Sequence, residues 1–144
     1  MSRNAFSIIE LLISIAILVI IAVAATPAYE LFSRKNSLAE GTSIVVSSLA
    51  KAELLSRAVL QDTGWGVVVQ TSSVVIFNGS SLASSTASLR QTTPLPAGII
   101  VSGNPSLVFT QFYGLPQATG TITISVRGAG TSTITVNTKG LISY

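Results

Sequence analysis

The 144-residue chain has no cysteine and no histidine, and Asp62 is its last acidic side chain. Without cysteine there is neither a disulfide framework nor a thiolate metal site, and lipid attachment through an N-terminal cysteine is excluded. Without histidine, and with no carboxylate side chain in residues 63–144, the groups on which general acid–base and metal chemistry usually draw are missing from most of the sequence. The expectation is a protein that is not an enzyme and holds no cofactor or metal; calcium in particular lacks the carboxylates it needs in that half. Charge of either sign is scarce, at 9% of residues against 48% hydrophobic, a balance that suits a membrane or assembly protein better than a free cytosolic enzyme. The net charge of +3 includes Arg3 and is too small to indicate nucleic-acid binding by itself.

The apolar residues that are present are unevenly spread. Met1–Ala5 is a short polar and basic head, and between Phe6 and Ala28 the only charged side chain is Glu10. From Leu11 to Tyr29 there is no charge at all, long enough as a helix to cross a hydrocarbon layer of roughly 30 Å. From Phe6 to about Leu60 only Pro27 and Gly41 interrupt a helical reading. In its later half Tyr29, Leu31, Phe32, Leu38, Ile44, Val45, Leu49, Ala52, Leu55, Ala58 and Val59 recur mostly at three- and four-residue steps. The spacing predicts one helix, apolar all round at first and amphipathic afterwards, with Pro27 kinking or loosening it. At some 50 to 55 residues it would be about 75–80 Å long, beyond the diameter of the one small domain that this length allows, so its front half is expected to protrude.

After Gly64 the pattern becomes β. Strands are predicted at 67–70, 74–77, 99–101, 107–112, 121–127 and 131–137, with a last one at 141–144. The Thr121–Val136 stretch alternates small polar with β-branched residues, as a half-buried hairpin does, turning at Gly128-Ala129-Gly130. Residues 71–93, rich in Ser and Thr, read as a flexible loop around short strands. Asn78-Gly79-Ser80 matches a glycosylation sequon, but Asn-Gly is also the commonest hairpin turn, and a turn is the preferred reading. Trp65 reads as core at the helix-to-sheet junction rather than as a ligand contact.

Ala5-Phe6-Ser7-Ile8-Ile9-Glu10-Leu11-Leu12, the apolar run and Pro27 together resemble the type IV pilin and pseudopilin family. The resemblance implies an α+β pilin fold: a long N-terminal helix packed by its C-terminal half on antiparallel β-sheets. It implies a leader at 1–5, a transmembrane and filament-core helix at 6–28, an amphipathic half at 29–62 and an antiparallel β region at 63–144. Prepilin peptidase would cut between Ala5 and Phe6 and methylate the Phe6 amine, although Ala5 stands where the family usually has Gly. Glu10 and Pro27 then fall at the mature positions where the family carries these residues. Glu10 also has a physical case of its own, because a carboxylate in an apolar helix is costly to bury and seeks a cation. In a filament that cation would be the Phe6 amine of a neighbouring subunit, fixing axial register; the plain alternative is a glutamate snorkelling to water. The implied partners are other pilin or pseudopilin subunits, prepilin peptidase, the inner-membrane assembly machinery and, before assembly, membrane lipid. The implied location is a single pass of the cytoplasmic membrane with the globular region outside, then a filament.

Three further stretches, Ser48–Ala58, Gly64–Val69 and Ile134–Gly140, resemble the GspH/FimT group of minor pilins and pseudopilins. Some of that group bind DNA through an arginine-bearing motif near the C-terminus. Here the aligned Gly140-Leu141-Ile142-Ser143 has no arginine, but Arg90, Arg127 and Lys139 would give weak phosphate attraction if they share a face. A third reading treats residues 1–24 as an ordinary secretory signal ending Ala22-Val23-Ala24 and releasing a secreted β domain; Glu10 inside the apolar run and the helical pattern beyond Ala24 count against it.

Overall fold

The computed structural model describes residues 7–144. One helix, α1, occupies Ile8–Arg57 and is unbroken across Ala22–Ala24 and across Pro27. A short 3-10 turn follows at Leu60–Asp62, and eight strands complete the chain. They are β1 (Trp65–Val69), β2 (Ser73–Asn78), β3 (Gln91–Pro94), β4 (Ile99–Gly103), β5 (Ser106–Phe109), β6 (Gly120–Val126), β7 (Gly130–Val136) and β8 (Ile142–Ser143). All pairings are antiparallel and make two four-stranded sheets, ordered β3-β2-β1-β5 and β4-β6-β7-β8. This is the α+β, pilin-like arrangement of a long N-terminal helix followed by antiparallel sheets. The chain divides into two compact units, one ending at Ser33 and the other running from Arg34 to Tyr144.

In the second unit α1 turns a narrow seam inward: Gly41, Thr42, Val45, Ser48, Leu49, Ala52 and Ser56 are buried at three- and four-residue steps. Val45, Leu49 and Ala52 share one apolar core with Trp65, Val67, Leu107 and Phe109 of the first sheet and Ile99, Ile122, Ile124, Ile134 and Val136 of the second. Gly41 allows close approach, because a Cβ there would overlap the Ile99 side chain. In β6 and β7 the buried residues alternate, Ile122, Ile124 and Val126 against Ile134 and Val136, while the intervening threonines and serines are more exposed.

Ser56 fastens helix to sheet. Its Oγ accepts the Trp65 backbone N–H at 2.8 Å, and its carbonyl accepts the N–H of Phe112 at 3.2 Å. The Trp65 indole N–H donates to the Leu60 carbonyl at 3.0 Å, so this almost fully buried ring is core with its polar atom satisfied.

Several local expectations change. Residues 71–93 contain most of two strands, and the intervening loop is pinned: the Arg90 guanidinium donates to Ser85 Oγ, Ser85 O and Leu82 O. The second of those strands, β3, is fully exposed and ends in Pro94; an edge strand with no buried face carries no hydrophobic alternation to read. Asn78-Gly79 opens that long loop instead of closing a two-residue hairpin, with the Asn78 side chain accepting the Thr86 N–H at 2.9 Å. The strand expected to reach Phe112 stops at Phe109. Phe112 has φ +68, a left-handed conformation that cannot continue a strand. The β6–β7 turn comes one residue earlier than expected, over Arg127–Ala129, with Gly128 at φ +78 and Gly130 already in β7.

Candidate functional site

The first turn of α1 begins with the Glu10 and Leu11 N–H groups donating to the Ser7 carbonyl at 3.1 and 3.2 Å. Glu10 lies in that turn, where the positive end of the helix dipole favours a carboxylate. Its side chain is exposed and, among the described residues, has no ion-pair partner. Around it the exposed large apolar residues, Ile8 through Val23, run from 49% exposure at Ile15 to 79% at Ile8. No face of this segment is buried within the chain. Among the described residues α1 is the one helix long and apolar enough to cross a membrane.

Helical assignment continues through Pro27 even though proline has no N–H to give. One residue earlier, Thr26 Oγ1 donates to the Ala22 carbonyl at 3.3 Å. Ala5 and Phe6, the expected cleavage and methylation positions, lie outside the described residues.

The three basic residues considered for DNA are dispersed. Arg127 and Lys139 flank opposite ends of β7, whose seven residues span about 20 Å. Arg90 precedes β3 in the other sheet, with its guanidinium engaged by loop oxygens. What the sequence did not reveal is the contact that Arg127 does make: Arg34 Nη1 donates to its carbonyl at 3.0 Å.

Two other features were also not foreseen. A groove of about 490 Å³ runs along Leu38, Thr42 and Val46 of α1, bordered by Ser132 and Tyr144, with Lys35 its only charged residue. At the far end of the helix the loop after β5 exposes Phe112 and Tyr113 beside the Glu53–Arg57 ion pair. Among the described residues no group of three or more His, Cys, Asp or Glu side chains is placed to hold a metal ion.

From Ile8 to Val23, α1 is an exposed segment of apolar and small residues with one carboxylate in its first turn, a surface that lipid or other helices would cover. Residues 1–26 match the model of the prokaryotic N-terminal methylation motif. This match supports a type IV pilin-like protein that is processed by prepilin peptidase, and it is consistent with membrane anchoring followed by filament entry. No curated protein and no solved structure matches the chain.

Proposed function

We propose that the chain is a structural minor pilin or pseudopilin, of the GspH/FimT kind, in a type IV pilus or a type II secretion pseudopilus. It waits as a single-pass protein of the cytoplasmic membrane with residues 34–144 outside. Assembly machinery then moves it into a filament with other pilin or pseudopilin subunits. Its role is to pack and not to catalyse. The observation that carries this reading is the methylation motif at 1–26 coinciding with a helical segment whose large apolar side chains, from Ile8 to Val23, are exposed. Such a surface is stable only in lipid or against like helices.

Within that role, cleavage between Ala5 and Phe6 frees and methylates an amine that pairs with Glu10 of a neighbouring subunit. Pro27 gives the helix a place to loosen as subunits change neighbours. The scattered positions of Arg90, Arg127 and Lys139 give no support to a DNA-uptake role. Intact mass of the membrane-extracted protein tests the reading: residues 1–5 should be absent and one methyl present on Phe6. Cleavage after Ala24 would replace it with a secreted β domain.

A further inference from the structure

β7 has an open outer edge beside the groove on α1. It pairs with β6 along its whole length, from Gly130 to Val136, but with β8 only at Thr135 and Val136. One residue past β7, the Asn137 N–H donates to the Leu141 carbonyl at 3.1 Å. In an antiparallel pair alternate residues turn both backbone groups to the same neighbour, so Thr131, Thr133 and Thr135 turn theirs away from β6. Ser143 meets Thr135; among the described residues no backbone group meets Thr131 or Thr133 on that side. Two other edges are closed. Pro94 ends β3, and beside β5 the Gln117 N–H donates to the Val108 carbonyl at 2.8 Å.

An unpaired row of N–H and C=O groups is complementary to extended polypeptide. Half-buried Ser132 lies between the two threonines on the inner face of β7, where it borders the groove with Leu38, Thr42 and Val46. A strand added along Thr131 and Thr133 would set one side chain beside Ser132, over those residues. If it continues the direction of β8, its next inward residue falls opposite Gly130. The bond from Arg34 Nη1 to the Arg127 carbonyl holds that end of β7 by the start of the groove, where Lys35 stands. Lys35 is exposed and, among the described residues, has no ion-pair partner, and no acidic side chain lines the groove. From this backbone register and charge complementarity we infer that the β7 edge and the groove bind an extended segment of a partner polypeptide, with an apolar residue opposite Ser132 and an acidic one opposite Gly130. Every group involved lies in the unit from Arg34 to Tyr144, so the inference does not rest on the membrane-held reading.

The probe is the acetylated, amidated peptide Thr-Leu-Thr-Glu-Thr, titrated into isotope-labelled full-length protein in micelles and followed by NMR. The Thr131 and Thr133 amide signals should move saturably and their hydrogen exchange should slow, with a Kd of about 1 mM. N-methylation of the first two threonines of the peptide, whose N–H groups would face β7, should weaken binding at least about tenfold. N-methylation of its leucine and glutamate, whose N–H groups would face away, should leave binding intact. Lys35→Gln should weaken it about two- to fivefold, as for an exposed ion pair.

Equal binding of the two methylated peptides would overturn strand addition, and so would unmoved Thr131 and Thr133 signals at about 10 mM peptide. Shifts confined to Leu38, Thr42 and Val46 would make the groove an apolar pocket instead and overturn it as well. Unchanged affinity in Lys35→Gln would overturn the acidic character of the partner.

Discussion

The two halves of α1 are covalently one helix and physically two different objects. From Ile8 to Val23 the large side chains are exposed on every face, and no helical period sorts apolar from polar. From Gly41 to Ser56 a seam only one or two residues wide is buried, and the opposite side carries Lys51, Arg57 and serines. The first half therefore takes its stability from whatever surrounds it, whereas the second takes it from the sheets of its own chain. Substitutions should divide in the same way: those in the first half should change assembly and leave unfolding alone, and those in the second should do the reverse.

Glu10 gives the largest expected effect. On the proposed pairing with a neighbour's Phe6 amine, removing one partner of a buried ion pair costs about 3–5 kcal/mol, and Glu10→Ala and Glu10→Val should reduce filament incorporation by at least about a hundredfold. Membrane insertion, processing and the thermal unfolding of the β unit should be unchanged, as read by fractionation, intact mass and circular dichroism. Normal incorporation of both variants would remove the pairing and leave Glu10 as a snorkelling surface residue.

Leu49 tests the other half. It is fully buried in the core shared with both sheets, and truncating such a leucine costs about 2–5 kcal/mol. Leu49→Ala should lower the unfolding midpoint by about 8–20 °C, while Leu18→Ala, in the exposed segment, should leave it within error. A comparable loss from Leu18→Ala would mean that the first half contributes to the fold of the second.

Ser56→Ala comes next. It removes the acceptor for the Trp65 N–H and leaves that donor buried, at a cost of about 1–3 kcal/mol. Ser56→Thr keeps the hydroxyl and should retain more of the stability. Equal losses from both would indicate that the tight space around Ser56 matters more than its hydrogen bond.

Ser56 also shows where the sequence stopped being legible. The uncharged apolar run, the long helix, the switch to β near Gly64 and the β6–β7 hairpin could all be read, because each leaves a long periodic or compositional trace. The seam of α1 was read only partly. Val45, Leu49 and Ala52 were found, but Thr42, Ser48 and Ser56 are small polar residues that the apolar period passes over. β3 was missed because it has no buried face. The Arg34–Arg127 contact was invisible for a different reason: it depends on which turn the second sheet brings to the helix, and no local pattern encodes that. The N-terminal motif over residues 1–26 was legible, because it is a local run of residue types that does not depend on how this chain packs.

The smallest predicted effect lies where α1 ends. Where a helix finishes on a left-handed residue that residue is usually glycine, but here Val59 occupies the region at φ 53, followed by Gln61 at φ 64 and Asp62 at φ 53. A β-branched residue in that conformation is strained by about 1–2 kcal/mol. Val59→Gly removes the strain, offset by the greater freedom of glycine in the unfolded chain, about 0.5–1 kcal/mol, and by the loss of a half-buried side chain. The expected net gain is about 0.5 kcal/mol, a rise of about 2 °C in the midpoint. Val59→Ala is the informative control. It loses most of the same contacts but keeps a Cβ in the left-handed region, so it should stabilise less than glycine or not at all. If Val59→Gly instead lowers the midpoint, the valine contacts outweigh the strain. The turn that carries the Leu60 carbonyl to the Trp65 indole would then be held by side-chain burial, joining the second half's dependence on its own core.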